Sequence, residues 1–372
     1  MVELKYGKER IKVGIPEKAA VSVLEPMHAP AIASVEAALD SALSTPRGCP
    51  SLEALIDARR PRSVAIALPD ETRPAPLREI LPGLLRRMEA RLPAPLADCV
   101  TLFIGGGLHP PVDADATERI LPAGITRGCR VVAHDARTAA MRDYGATSRG
   151  TPVWTNKSYF QSDVKIVIGN IEPHHFAGYS GGGKAIMPGL AHLDTIMRNH
   201  GTANMDSPRA RWGILEDNPL RREIDEAMAF VRPDFLVNVA LNRDKAITRC
   251  FAGDPVAAYR EGTAFVRGTS LAAVDAPFDI VVTTNSGWPL DLNLYQAVKG
   301  MSAAARIVRP GGAIVIAAEC RDGVPDHGSF GRLLRESRNP DELLARLRSP
   351  GSAMDDQWQA HTLAIIGKKA EV

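Results

Sequence analysis

Residues 170–200 read NIEPHHFAGYSGGGKAIMPGLAHLDTIMRNH and follow an apolar segment, residues 164–168, that is typical of a buried strand. Two adjacent histidines, a glycine-rich loop, a lysine and two further histidines lie within this span. A strand that runs into such a loop is typical of α/β proteins, whose sites lie at the carboxyl ends of the strands. This stretch is therefore the strongest candidate for the functional site.

The glycine-rich loop suits an anion. Gly181, Gly182 and Gly183 let the backbone approach a ligand and adopt positive φ, so their N–H groups can form an anion-binding concavity. Lys184 adds a positive charge that would hold a phosphate, or a nucleophilic amine if it is deprotonated. The loop thus predicts a phosphate-bearing ligand.

The end of the stretch predicts a second helix. Residues 187–189 (Met-Pro-Gly) must break any helix that begins at Lys184. A new start at Leu190 would carry His192 and His200 on roughly the same face.

A P-loop is the obvious motif to compare, because residues 178–184 spell G-x-x-x-x-G-K. The comparison fails at Ala185, where the motif needs a hydroxyl for Mg²⁺. It also fails in spacing, since nine residues separate the strand from Gly178. A nucleotide kinase or ATPase is therefore disfavoured.

Residues 62–68 (RSVAIAL) predict another buried strand, which ends in PDETRP. Asp70, Thr72 and Arg73 would then lie at the carboxyl edge of the sheet. Arg73 offers a planar fork for a carboxylate or phosphate. The alternative is a solvated turn with Asp70 as a helix cap.

Residues 99–104 predict the next strand, followed by GGGLHPP. This places His109 on a glycine loop at a strand end, from which an imidazole can transfer protons near neutral pH. An exposed loop histidine without function is the alternative.

The segment NLYQAVKG predicts a helix on which Gln296 and Lys299 share a face and can reach one ligand. An ordinary surface helix is the alternative. His327, in a loop, is expected to play no catalytic part.

Repeated strand, loop and helix units predict an α/β protein with mostly parallel sheets. Residues 268–277 are small and proline-containing and form the best linker candidate. We expect an N-terminal α/β domain at 1–267 that carries the lysine and the histidines, and a C-terminal α/β domain at 278–372. The active site is expected in the cleft between these domains.

The motif P-H-x-F-A-G-Y-S-G-G-G-K, followed by P-G-x-A and N-H, resembles the signature of the nickel-pincer lactate racemase family. Members of this family racemise or epimerise 2-hydroxy acids. The resemblance implies that Lys184 carries the nickel-pincer nucleotide, a pyridinium-derived mononucleotide, as a covalent adduct. It also implies that His200 ligates the nickel and that His174 is a catalytic acid/base.

Other family motifs assign further roles by resemblance. The D-x-T-R-P motif makes Arg73 the residue that binds the substrate carboxylate, and the G-x-H motif makes His109 the second acid/base. The Y-Q-x-x-K motif and a C-terminal segment imply substrate-binding roles for Tyr295, Gln296, Lys299 and Trp358. The cofactor-binding residues implied besides Lys184 are Asp70, Thr72, Ser180, Gly181, Gly182 and Gly183.

In the family's reaction the cofactor accepts the C2 hydride while one histidine removes the hydroxyl proton, and the planar 2-keto acid takes the hydride back on either face. Two histidines serve the two enantiomers. Cofactor maturation enzymes are implied as partners. Pro110 stands where family members often carry a basic residue, so lactate, malate, an aldonate and an aromatic hydroxy acid all remain open as substrates.

The composition and the N-terminal sequence limit the possible partners and compartment of the protein. The chain has 45 Lys and Arg against 43 Asp and Glu, which gives no case for a nucleic-acid or membrane partner. The five scattered cysteines, without a C-x-x-C pair, argue against a disulfide framework and a structural zinc site. Residues 1–16 predict a β-hairpin and not a signal peptide, so a soluble cytoplasmic protein is expected.

Two other functions stay open at this point. One is a zinc or iron hydrolase with three histidine ligands: His109, His174 or His175, and His200. The other is a non-catalytic phosphate or nucleotide binder that uses only the glycine loop.

Overall fold

The structure is a computed structural model that describes residues 1–27, 29–326, 328–349 and 351–372. His327 lies outside the described residues. No helix in the described part of the chain combines the length and the apolar character that crossing a membrane requires.

The strands, in chain order, are β1 Val2–Tyr6, β2 Glu9–Val13, β3 Val64–Pro69, β4 Val100–Gly105, β5 Arg130–Ala133, β6 Met141–Ala146, β7 Pro152–Asn156, β8 Val164–Ile171, β9 Pro173–His174, β10 Gly178–Tyr179, β11 Phe235–Leu241, β12 Ile247–Gly253, β13 Phe278–Thr284, β14 Val308–Ala317 and β15 Ala370–Glu371. The helices are α1 Val35–Ser44, α2 Leu52–Arg59, α3 Leu77–Glu89, α4 Leu96–Cys99, α5 Ala114–Ile120, α6 Ile125–Gly128, α7 Lys157–Gln161, α8 Leu193–Asn199, α9 Thr202–Met205, α10 Pro219–Val231, α11 Pro255–Ser270, α12 Leu294–Ala304, α13 Phe330–Arg335, α14 Pro340–Arg348 and α15 Gln357–Lys369, with a 3₁₀ turn at Gly182–Ala185.

The chain divides into two compact units. The large unit comprises Pro26–Asn199 and Arg209–Leu271. The small unit comprises Met1–Glu25, His200–Pro208 and Ala272–Val372. The division after Leu271 falls within the predicted linker, but the N-terminal hairpin and residues 200–208 group with the C-terminal part, unlike in the predicted ranges.

The large unit is built on a six-stranded sheet with the order β12-β11-β8-β3-β4-β5. All neighbours are parallel except β12, which pairs antiparallel with β11. Apolar runs such as VAIALP in β3 are buried because hydrophobic clusters cover both faces of the sheet. The predicted α/β class with mostly parallel strands is confirmed.

Local signals explain where the helices of this sheet begin. The Asn218 side chain accepts a hydrogen bond from the Arg221 N–H at 3.2 Å, with Pro219 at the first helical position of α10. Asp254 caps α11 in the same way, ahead of Pro255.

The small unit has a three-stranded parallel sheet, β13-β14-β15, packed on α12 to α15. The N-terminal hairpin belongs here because its turn is bonded to this unit. The Gly7 N–H donates to Asp291 Oδ2 at 2.7 Å, and the Gly7 carbonyl accepts from the Trp288 N–H at 2.7 Å. Residues 200–208 belong here because the Asp206 carboxylate binds Arg348 at 2.7 Å and His361 at 2.8 Å.

The predicted helix that would carry both His192 and His200 is wrong. Helix α8 spans Leu193–Asn199, so one histidine precedes it and the other follows it. His192 Nδ1 instead accepts a hydrogen bond from the Asp194 N–H at 3.2 Å and acts as a cap. Because His192 is the cap, it lies outside the helix. The spacing of residues in the sequence does not reveal this capping role.

Candidate active site

The carboxyl edge of the large-unit sheet brings Asp70, Thr72 and His109 together, each after the strand that the sequence analysis placed it behind. Asp70 follows β3 and is 5% exposed, whereas the His109 side chain, after β4, is 45% exposed. Asp70 Oδ2 lies 2.7 Å from His109 Nδ1, and the Thr72 hydroxyl donates to Asp70 Oδ1 at 2.6 Å. A buried carboxylate thus holds an accessible imidazole.

The charge of Asp70 determines which ring nitrogen of His109 is free. Burial raises the pKa of Asp70, but the His109 hydrogen bond and charge, the Thr72 hydroxyl and the Arg73 charge together hold that pKa below its ordinary value. Asp70 is therefore ionised at neutral pH and can only accept. His109 donates from Nδ1, which leaves the Nε2 lone pair for a substrate.

Two glycines fix the loop that carries His109. A Cβ at Gly105 would lie 2.6 Å from the Gly189 carbonyl oxygen, and Gly107 has a φ of +64°. The Gly107 N–H donates to that same oxygen at 3.3 Å. The His109 loop is thereby packed on the end of the Gly-Lys stretch, which a side chain at either glycine would prevent.

The glycine-rich loop itself packs inward as well. A Cβ at Gly181 would lie 2.7 Å from Asn238 Oδ1, and one at Gly182 would lie 2.6 Å from the Tyr259 ring. The Gly182 N–H already donates to Asn238 Oδ1 at 2.9 Å. The Ser180 hydroxyl donates to the Asn170 carbonyl at 2.8 Å. These groups bind the protein, so the predicted phosphate contact through the Gly182 N–H is not supported.

Lys184 lies on the one-turn 3₁₀ helix and is buried. Its Nζ is 6.0 Å from the centre of the Phe176 ring, within the range of a cation–π contact. The structure thus places a buried amine on a short turn next to close-packed glycines.

His174 is held differently from His109. Its Nδ1 accepts a hydrogen bond from the Ala177 N–H at 3.2 Å within the small β9–β10 hairpin. Its ring stacks on His175 with centroids 4.6 Å apart and an interplanar angle of 24°. Because an amide N–H can only donate, the neutral His174 ring carries its proton on Nε2.

Arg73 follows the same strand as Asp70. Its N–H donates to the Asp70 carbonyl at 3.2 Å. Its guanidinium forms no hydrogen bond or ion pair with any residue in the described ranges. A cation with its donors unused at the edge of the sheet fits the predicted carboxylate-binding role.

The remaining predicted residues lie in the small unit. The Trp358 ring contacts His200 edge-on, with centroids 5.2 Å apart, and its Nε1 donates to the Tyr295 hydroxyl at 3.0 Å. Lys299 Nζ donates to Gln296 Oε1 at 2.7 Å, so these two side chains share one helix face as predicted.

Sequence reasoning missed a buried carboxylate at the end of α8. Glu223, on α10, accepts hydrogen bonds from Thr147 at 2.8 Å, Thr151 at 2.7 Å and Asn199 at 3.0 Å. Asn199 is the last residue of α8, so this network fixes the point at which the helix ends. The available signal was a glutamate on the apolar face of an amphipathic helix.

A buried histidine was also missed. His134 Nε2 donates to the Ala191 carbonyl at 3.1 Å, and its Nδ1 accepts from Asn156 Nδ2 at 3.2 Å. Burial lowers the pKa of His134 in spite of the Ala191 bond. His134 therefore ties β5 and β7 to the turn that supports the His109 loop.

The three-histidine hydrolase loses its support. Within the part of the chain that the structure describes, no three His, Cys, Asp or Glu side chains are grouped so that they could hold a metal ion.

A mostly parallel α/β sheet carries a carboxylate–histidine pair at its carboxyl edge, near an arginine that is unbonded among the described residues, and this arrangement is typical of an acid–base enzyme. Residues 6–213 match the lactate racemase N-terminal domain, and residues 273–372 match the lactate racemase C-terminal domain. The chain belongs to the lactate racemase family, as the motifs indicated, and is an isomerase. Enzymes of this family need a metal-containing cofactor.

Two individual lactate racemases are similar in sequence to this chain along most of its length. The lactate racemase of Thermoanaerobacterium thermosaccharolyticum is 34% identical over 371 residues, which are 98% of this chain and 85% of that protein. The lactate racemase of Lactiplantibacillus plantarum is 36% identical over 337 residues, which are 90% of this chain and 78% of that protein.

Solved structures show the same fold. The lactate racemase apoprotein from Thermoanaerobacterium thermosaccharolyticum matches with a TM-score of 0.92 at 33% identity, over 99% of this chain and 86% of that chain. A protein from Thermotoga maritima matches with a TM-score of 0.63 at 16% identity, over 86% of this chain and 84% of that chain, which shows likeness of fold alone.

Proposed function

We propose that the protein interconverts the two configurations at C2 of a small 2-hydroxy acid. One arrangement carries the proposal: Asp70 holds His109 with the Nε2 lone pair available, on the sheet edge that also bears Arg73, whose guanidinium has no bond to the residues that the structure describes. A base for the hydroxyl proton and a cation for the carboxylate are what this substrate class requires of side chains.

The hydrogen at C2 needs more than side chains, because that C–H bond is far too weakly acidic for a histidine near neutral pH. A nickel-pincer nucleotide, when bound, supplies the hydride acceptor that the chemistry requires. Lys184 fits as its covalent anchor because the amine sits on a rigid turn beside Phe176. His200 fits as the nickel ligand because Trp358 contacts its ring and fixes it.

His109 removes the hydroxyl proton at Nε2, and the Asp70 carboxylate stabilises the imidazolium that results. Arg73 holds the substrate carboxylate in place while the configuration changes. His174 has the opposite tautomer from His109, with its proton on Nε2. In the reaction it donates this proton to a substrate oxygen. To act as a base for the other enantiomer, His174 has to give up the bond from the Ala177 N–H.

The substrate follows from the relatives. Lactate is our first candidate, because the relatives that match along nearly the whole chain are lactate racemases. Gln296 and Lys299 are proposed to assist in carboxylate binding, and Tyr295 and Trp358 to contribute on the substrate side. Malate, an aldonate and an aromatic hydroxy acid remain to be tested beside lactate.

Loading requires cofactor maturation enzymes as partners, and the five free cysteines are compatible with a reducing cytoplasm. The test is expression together with those enzymes, followed by intact mass, nickel content and a panel of single-enantiomer 2-hydroxy acids followed by loss of optical activity. We expect an adduct that is absent from Lys184→Ala, one nickel per chain, and racemisation of lactate.

The two alternative functions, a zinc or iron hydrolase and a non-catalytic phosphate or nucleotide binder, predict other outcomes. Zinc without an adduct would identify a hydrolase. Ligand binding unaffected in His109→Ala and Arg73→Ala, with no turnover of any 2-hydroxy acid by the wild type, would identify a non-catalytic phosphate or nucleotide binder.

A further inference from the structure

Asn170, near the end of β8, has a buried side chain whose donor is unused. The residue is 3% exposed, and its Nδ2 has no hydrogen-bond partner among the residues that the structure describes. Nearly all buried polar groups in proteins are hydrogen-bonded, and an unbonded amide N–H is costly. A group of this kind at the carboxyl end of a strand points to a ligand that completes it.

A second asparagine shows that the same sheet can satisfy such a side chain. Asn238, on the neighbouring β11, accepts from the Gly182 N–H at 2.9 Å and donates to the Val237 carbonyl at 2.9 Å. Both ends of its carboxamide are bonded within the protein. The unused donor of Asn170 is therefore a property of its position and not of the sheet.

That position is next to the predicted active site. Strands β3 and β8 pair in parallel with Ala67 opposite Val167. This is the last pair of the ladder, and Asp70 and Asn170 each lie three residues beyond it, toward the carboxyl edge of the sheet. The Asn170 carbonyl accepts from the Ser180 hydroxyl at 2.8 Å, so the backbone of this residue adjoins the glycine-rich loop.

We propose that Asn170 is a further ligand-binding residue, whose Nδ2 donates a hydrogen bond to an oxygen of the ribosyl phosphate of the nucleotide. The inference rests on the proposed function, because it assumes that a mononucleotide occupies the loop at Lys184.

The test uses Asn170→Leu, which keeps the size of the side chain and removes its polar atoms. The melting temperature of the ligand-free protein should be at least as high as that of the wild type, because an unsatisfied donor has been deleted. Affinity for nicotinic acid mononucleotide, a metal-free pyridinium mononucleotide, should fall about tenfold or more by titration calorimetry. Asn170→Ala serves as a second variant with no added bulk, and it should show the same loss of affinity.

Asn238→Leu is the matched control. It removes a carboxamide that is fully bonded, so it should lower the melting temperature of the ligand-free protein. A lower melting temperature for Asn170→Leu with unchanged affinity would mean that a buried water satisfies Asn170, and the proposal would be overturned.

Two failures are distinguishable. If the wild type binds the mononucleotide and both Asn170 variants bind it equally well, only the role of Asn170 falls. If the wild type binds no mononucleotide, the cofactor assignment falls, and the role of Asn170 falls with it.

Discussion

The Asp70–His109 pair provides the most direct test of the proposed chemistry, through the substitution Asp70→Asn. The carboxylate can only accept a hydrogen bond, and it holds His109 with a proton on Nδ1. An amide of the same shape can turn its NH₂ group toward Nδ1. The proton of the imidazole then moves to Nε2, and the base that faces the substrate is lost.

The size of the effect follows from the geometry. The 2.7 Å separation between Asp70 Oδ2 and His109 Nδ1 is that of a charge-assisted hydrogen bond, which contributes about 1.5–3 kcal/mol when the imidazolium forms. That alone is roughly 10- to 100-fold in rate. General base catalysis contributes typically about 10²- to 10⁴-fold, so loss of the correct tautomer should lower kcat within that range.

Two assays are needed because Asp70 is also a predicted cofactor-binding residue. Chiral chromatography of lactate gives kcat, normalised to nickel per chain. ¹⁵N NMR of histidine-labelled, ligand-free protein reports the His109 tautomer without any cofactor. Asp113→Asn is the matched control: Asp113 caps α5 through a 2.7 Å bond from the Ala116 N–H, and asparagine caps equally well.

Asp70 does not set the catalytic base if Asp70→Asn keeps kcat within about threefold of the wild type. If the variant loses activity while the His109 tautomer is unchanged, Asp70 acts through the cofactor and not through the base.

Three further predictions concern His134, Glu223 and Arg73. Burial lowers the pKa of His134 below its ordinary value of 6.5, so below that pH the unfolded chain binds a proton that the folded chain does not. The free energy of unfolding should fall with decreasing pH by up to about 1.4 kcal/mol per pH unit, and urea titrations from pH 8 to pH 5 should show a shallower fall for His134→Gln. Glu223→Ala leaves three buried donors without their acceptor and should lower the free energy of unfolding by about 2–5 kcal/mol, more than Glu223→Gln does; equal melting curves for the wild type and Glu223→Ala would contradict this. Arg73→Lys should raise KM for lactate about tenfold or more with a smaller change in kcat, since an ammonium cannot bind a carboxylate through two parallel bonds; an unchanged KM would remove Arg73 from substrate binding.

Local patterns were sufficient for the strand ends of the large unit. An apolar run that ends in polar residues is a short-range signal, and on its own it predicts that Asp70 and His109 lie at the edge of a parallel sheet. The signal for α10 is equally local, because its cap Asn218 and its first turn adjoin in sequence.

The roles of Lys184 and His200 came from the motif and not from local physics. The periodicity of the stretch indicated a helix that carries His192 and His200, and this was wrong. The sequence could not show that the His192 side chain caps the helix, since an imidazole capping bond has no signature in a hydrophobic period.

The sequence by itself determined the family, the α/β class and the positions of the catalytic candidates, because each is recorded in short stretches of neighbouring residues. Only the tertiary structure decided that the N-terminal hairpin packs with the C-terminal part, that Glu223 fixes the end of α8, and that the Asn170 donor is left unused among the described residues. These facts depend on contacts between residues that are far apart in the sequence. Strand register and buried hydrogen bonds determine such contacts, and no local sequence pattern extends over those separations.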